Sequence, residues 1–221
     1  DGMELYDKGE EKAWKELFLV FAGEKEDVIL GRIGILGMTP QDISDLRAAD
    51  RIRERFAAEG KTAVCFGMGN GLDDVKSVSN VEKNIVVSPA ALEAAKYLER
   101  TYGTPYETGY PLVDELIPDV DYTGKEVLIV HQQVIANSIR KELLKKGAKR
   151  VQIASWFMMK KELLADGDVL LRDEDAYIEL VQNGDFDIIF ADGCMERMIP
   201  EFKGIFVDTR HFAVSGKLIG K

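Results

Sequence analysis

Apolar and polar positions alternate along this chain with two different periods, and the changes of period mark its elements. The opening stretch "EEKAWKELFLVFAG" has apolar residues at helical spacing and predicts a helix of about three turns. "VILGRIGILGM" (28–38) is a nearly continuous apolar run suited to a buried strand. "TPQDISDLRAADRIRERFAAEG" (39–60) returns to the helical period, with Thr39 as N-cap, Pro40 at the first helical position and Gly60 as the stop. Ile43, Leu46, Ile52 and Phe56 would form its buried stripe. "KTAVCF" and "KNIVVS" predict strands on either side of a short helix, "LDDVKSV". "PAALEAAKYLERTYG" predicts a helix ending at Gly103.

The scheme then repeats. "YPLVDELIPDVDYTG" (110–124) has two prolines and no clear period, and it reads as a crossing segment between two lobes. Beyond it, "KEVLIVH" and "RVQIASW" predict strands, with the helix "QVIANSIRKELLKKG" between them closing at Gly147. "MKKELLADGD" predicts a helix and loop, "DEDAYIELVQNG" a helix, and "FDIIFADG" and "KGIFVDT" the last strands. Strands alternating with helices imply mainly parallel sheets covered on both faces. The fold class is therefore α/β: two three-layer Rossmann-like lobes with a cleft between them. The boundaries are a helical segment 1–27, a first lobe 28–110 and a second lobe 111–221.

In such sheets ligands bind beyond the carboxyl ends of the strands. Those loops begin near Gly37, Gly67, Ser88 and Tyr106 in the first lobe, and near His131, Trp156, Asp192 and Asp208 in the second. Both histidines, His131 and His211, and both cysteines, Cys65 and Cys194, fall at or near these loops.

Composition narrows the function classes. With 46% hydrophobic residues the chain can bury a sizeable core. A net charge of −10 argues against a broad nucleic-acid surface, and the basic stretch "RKELLKKGAKR" (140–150) reads as a solvated helix face. No apolar run is long enough to span a membrane. Two cysteines far apart, with no CxxC, fit a reducing cytoplasm.

"CFGMGNGLDDV" (65–75) invites a dinucleotide reading, but its third glycine comes one position early and it follows the second strand of its lobe. A GxxxxGK[ST] loop is absent, so neither NAD nor ATP binding is expected. The glycines either allow a tight turn, or Gly69, Asn70 and Gly71 offer amides to an anion or cofactor. A zinc site would need Cys65, His131, Cys194 and His211 to converge, with no close ligand pair to start from. Cys194, in "ADGCMERM", is either a half-buried spectator or a ligand or nucleophile activated at a helix start. His131 either caps its strand or contacts a ligand. Asp192, Glu196 and Asp208 are polar candidates on the same rim.

The order of "RIGILGM", "AEG", "TAVCF", "GNG", "VEKNIVVS" and "LEAAKYLERTYGTPY", followed by "TGKEVLIV", "FDIIFADG", "IPEFKGIFVD" and a final "SG", resembles the nitrogenase component 1-type proteins. The resemblance covers roughly residues 28–217. It implies an oxidoreductase or cofactor-assembly protein whose lobes hold a metallocluster or tetrapyrrole. It also implies electrons from a separate iron–sulfur ATPase reductase and pairing with a homologous or identical subunit. On this reading Gly69, Asn70, Gly71, Ser88 and His131 border the cofactor, and Cys194 and His211 are candidate metal ligands. Ser88 stands where cofactor-carrying chains have a cysteine, and serine is a poor ligand for soft iron–sulfur chemistry. His211, in "VDTRHFAVSG", lies about one residue from the family's histidine ligand. The cysteines of the family's first domain have no counterpart here, so an iron–sulfur cluster would need another chain, another domain or another cofactor. The alternative function is a non-catalytic module that binds a metal chelate or small anion.

Overall fold

The computed structural model describes residues 2–220 and resolves two compact α/β units. The first runs to Leu112 and recovers the tail from Leu218; the second is Val113–Lys217. Among the described residues no helix is long and apolar enough to cross a membrane.

The first unit has four parallel strands, β1 (Ile29–Met38), β2 (Thr62–Gly67), β3 (Val81–Val86) and β4 (Tyr106–Thr108), in the order β2-β1-β3-β4. The last six residues of β1 are buried because neighbours flank both its edges and helices cover both its faces. The opening helix α1 (Gly2–Phe21) is longer than three turns and is part of this unit. It packs Trp14 and Phe18 toward the sheet, with the Phe18 and Phe66 rings edge to face at 5.4 Å. Helix α5 (Leu92–Tyr102) ends where Gly103 takes φ +78° and its N–H returns to the Glu99 carbonyl.

The helix expected over 39–60 is broken. Thr39 does precede a helix, but α2 (Pro40–Ile43) lasts one turn, and α3 (Ala48–Ala58) starts afresh. The C-terminal tail causes the break: the Ile219 N–H bonds the Ser44 carbonyl and the Leu46 N–H bonds the Ile219 carbonyl. Asp45 then accepts the Arg47 N–H and the Arg51 guanidinium, a local bond that competes with helix continuation. Leu46 therefore lies in the break and is exposed, while Ile43, Ile52 and Phe56 are buried as expected. A short helix α4 (Leu72–Lys76) follows β2, and Tyr106 begins an edge strand, not a loop.

The second unit has β5 (Glu126–Val130), β6 (Arg150–Ser155), β7 (Val169–Leu170), β8 (Ile188–Ala191) and β9 (Ile205–Asp208), all parallel, in the order β7-β6-β5-β8-β9. Strand alternation sorts its core. Leu128, Val130, Ile189 and Ala191 pack with Tyr177 and Val181 of α7 (Glu174–Asn183). The intervening Phe190 faces the other way, against Tyr122, and α6 (Gln133–Lys145) packs on β5 and β6. The helix expected in "MKKELLADGD" is a single 3-10 turn, Lys161–Leu163. Side chains of α6 occupy the backbone there: Gln133 bonds both the N–H and the carbonyl of Lys160, and Asn137 donates to the Leu163 carbonyl.

Strand order locates the ligand-binding edges. Each sheet reverses its direction of winding once, between β1 and β3 in the first unit and between β5 and β8 in the second. At such reversals the loops after the two strands diverge and leave a crevice at the carboxyl edge.

Candidate functional site

In the second unit, parallel pairing of β5 with β8 brings His131, just past β5, and Asp192, just past β8, to the same edge. The loop after β9 adds Arg210 and His211, and α8 (Phe212–Ser215) follows it. The two imidazoles stack at 4.4 Å between centroids with 17° between planes. Phe157 meets His211 edge-on at 6.1 Å.

The two rings have opposite hydrogen-bond status. His131 Nδ1 accepts the Gln132 N–H at 2.8 Å, and Nε2–H donates to the Arg210 carbonyl at 3.1 Å. The backbone thus consumes both nitrogens and selects the neutral Nε2–H tautomer. His211 is 2% exposed, yet both its ring nitrogens are buried without a partner. Leaving a buried polar atom unpaired costs about 1–3 kcal/mol, and among the described residues of this unit His211 has two such atoms where Trp156 and Tyr177 have one each. Burial pushes His131 down to about 4, against its bonds to Arg210 and Gln132 and the Asp192 charge. Burial, and then repulsion from His131, hold His211 well below the usual histidine range.

Asp192 organises the edge. Its Oδ2 accepts the His211 N–H at 2.9 Å and the Ser215 hydroxyl at 2.6 Å, and Oδ1 accepts the Cys194 N–H at 3.0 Å. Burial would raise its pKa, but these donors prevail and hold the carboxyl below its ordinary value. Cys194 is not at an α-helix start; only a 3-10 turn, Glu196–Met198, follows it. Burial first, then a hydrogen bond to Asp192, push its thiol up to about 11. Of the two readings of Cys194, the activated one has neither a helix start nor a lowered pKa behind it. Gly193 N–H donates to Asp208 at 2.8 Å, and a Cβ at Gly193 would stand 3.0 Å from the Asp208 carboxyl carbon.

Gln132 supplies a further result. Its side chain accepts the Val134 and Ile135 N–H groups at 2.7 and 3.2 Å, capping α6. The donors that a Rossmann first turn turns toward a pyrophosphate are here taken by the chain itself.

In the first unit the reversal carries Ser88, which is fully buried. It donates to Asp42 and accepts the Ala90 N–H at 3.1 Å, so it caps the turn leading into α5. The "GMGNG" loop is held from α3: Arg53 donates to the Gly69 carbonyl at 3.3 Å and to Asn70 Oδ1 at 2.7 Å, and Asn70 donates in turn to Asp74. Gly69 has φ +85°. Cys65 is buried in β2, bonds the Ala49 carbonyl, and is pushed up to about 11 by burial. It belongs to the first unit, whereas His131, Cys194 and His211 belong to the second. Among the described residues no group of three or more His, Cys, Asp and Glu is arranged to hold a metal ion.

The structure thus brings together His131, Cys194 and His211, with Asp192 at their centre. Sequence reasoning missed Ser215, Phe157, Gln132, Asp42 and Arg53. Only Gln132, a hydrogen-bonding side chain just before a helical run, carried a local signal.

These features define a class: paired parallel α/β units of Rossmann-like topology with polar groups at the winding reversals. No protein-family model matches the chain, and no curated protein matches it. Among solved structures it is similar to nitrogenase Cp1 at pH 6.5, with 16% identity and a TM-score of 0.62. The match covers 92% of this chain and 57% of that one. The chain therefore has a nitrogenase component 1-like fold and spans a little over half the length of the protein it matches. At that identity the likeness establishes the fold alone.

Proposed function

We propose that this chain takes up a metal chelate, a tetrapyrrole above all, at the carboxyl edge of β5 and β8, in a redox or cofactor-assembly role. Electrons would come from a separate iron–sulfur ATPase. The observation that carries the reading is the buried His211 ring with both nitrogens unpaired. A tetrapyrrole brings four ligands of its own and asks the protein for one imidazole, which His211 supplies. It contributes a redox-active metal; the chain contributes orientation, through the His131 stack and the Asp192 bond to the His211 backbone. A cysteine-ligated iron–sulfur cluster does not fit these residues. Cys65 is buried in a strand, Ser88 is committed to Asp42, and the Cys194 thiol is held protonated.

The test is titration of the purified chain with an iron(III) porphyrin, following the Soret band. The wild type is expected to give the spectrum of an imidazole-bound iron, and His211→Phe to lose it. A wild type that leaves the band unshifted would sink the proposal.

The lack of thiolate donors favours a second reading, a non-catalytic module for a chelate or a small anion. The Gly69–Gly71 loop beside Arg53 is the anion candidate in the first unit. Chelate that binds but stays oxidised when an ATP-driven iron–sulfur reductase is added would fit this reading alone.

A further inference from the structure

Two more side chains of the second unit hold donors with no acceptor. Trp156 follows β6 directly, and its indole N–H is buried without a partner. Tyr177, on the first turn of α7, is fully buried with its hydroxyl unpaired. The two rings are neighbours, with 6.4 Å between centroids and 55° between planes.

Pairing within the couple does not satisfy both. An indole N–H only donates, and a phenol donates one hydrogen. Even a bond from the indole to the phenol oxygen would leave the phenol hydrogen without an acceptor. The packing around them is apolar or sulfur-bearing. Tyr177 clusters with Leu171, Ala191, Met195 and Ile199, and Trp156, Cys194 and Val214 pack against that cluster. The Cys194 side chain is already bonded to Asp192. Buried donors left in this state call for an acceptor from outside the chain.

Position ties the pair to the edge described above. Phe157, the residue after Trp156, meets the His211 ring edge-on, and Val214 of α8 packs on the Tyr177 cluster. One loop therefore touches both sets of unpaired atoms. Charge then selects the chemistry. Burial, then Cys194 and Glu196, push the Tyr177 phenol up, so it keeps its proton and stays a donor. The same surroundings oppose a carboxylate, which is costly to bury without a cation. Arg197 and Lys217 act on Cys194, but both are exposed. A neutral carbonyl oxygen carries no charge and has two lone pairs, as many acceptor positions as the couple has donors.

We propose that Trp156 and Tyr177 form an acceptor site for a neutral carbonyl group on the edge of the bound ligand. The proposal rests on the tetrapyrrole reading for the identity of that ligand, but not on an iron–imidazole bond at His211. It narrows the ligand to a ring whose periphery carries a ketone, aldehyde or amide.

The test uses iron(III) diacetyldeuteroporphyrin and iron(III) mesoporphyrin, which share their propionates and differ in acetyl against ethyl groups. Each is titrated into the purified chain and followed by absorbance. Acetyl groups also draw electrons from the iron, so the measure is the preference of the wild type relative to that of Tyr177→Phe. That ratio is expected to be about five- to tenfold, one hydrogen bond's worth. Tyr177→Phe should leave the mesoporphyrin affinity unchanged, which a mere packing role would not do. It removes only an unpaired hydroxyl, so the fold is retained, which circular dichroism checks. Trp156→Phe should lower the preference in the same direction. An equal preference in wild type and Tyr177→Phe means that water serves the two donors; it overturns the proposal and leaves the His211 reading standing. A preference that Tyr177→Phe removes, in a chain that never gives the imidazole-bound spectrum, sinks the His211 reading and upholds this one. A chain that binds neither ring overturns both.

Discussion

Acidification from about pH 7 to pH 4.5 should destabilise the chain through the stacked histidines. In the unfolded chain a histidine titrates near 6.5, whereas burial pushes His131 down to about 4 in the folded protein. Over that interval the unfolded state binds a proton that the native state refuses, so stability rises with pH. The contribution is fully present above about pH 6.5 and is lost as pH falls toward 4. For His131 alone the shift corresponds to about 3 kcal/mol, at roughly 1.4 kcal/mol per unit. His211 is displaced in the same direction, by burial and by its neighbour. With both rings contributing, the steepest slope approaches about 2.7 kcal/mol per pH unit, two protons' worth. Urea unfolding followed by circular dichroism at several pH values measures it. In His211→Phe, which preserves a ring against His131 and Phe157, the slope should fall to about 1.4 kcal/mol per unit. Asp192 contributes chiefly below this window, because its lowered pKa protects stability down to the acid side of the carboxylate range; it also cancels when the two chains are compared. Equal slopes in wild type and His211→Phe would refute the argument, because they would mean that His211 does not stay neutral on folding.

Three further outcomes follow from other sites. Asn84 is fully buried on β3, with neither its amide nitrogen nor its oxygen bonded. Asn84→Val should therefore raise stability by about 1–2 kcal/mol in urea titration, and a loss would show that the amide is paired. Asp168 is buried and accepts Arg140 at 2.7 Å, the Ile153 N–H at 3.0 Å and the Ala165 N–H at 2.9 Å. Asp168→Ala strands a cation and two amides and should cost about 3–5 kcal/mol, with Asp168→Asn recovering part of it in the same assay. The Cys194 thiol, pushed up to about 11 partly by Asp192, should react slowly with iodoacetamide near neutral pH. Asp192→Asn should speed that reaction severalfold; an unchanged rate would remove Asp192 as a cause.

Much of this protein is written locally in its sequence. The long apolar run at 28–38, the helix closed by Gly103 and the helix before Gly147 are legible because burial of one face repeats with the period of the element that buries it. The placing of both histidines at strand-end loops followed from the same reading. Short elements escaped it: β4, "YET", and β7, two residues long, have no period to detect. The break between α2 and α3 escaped it too, because the competing hydrogen bonds come from Ile219, some 175 residues away. Tertiary structure alone decided the strand orders, and with them which loops meet at each reversal. It stacked His211 on His131, eighty residues apart, and spent Ser88 on Asp42 as a cap. Periodicity records which face of an element is buried, but it does not record which distant group buries it. That choice belongs to the packing of the whole unit.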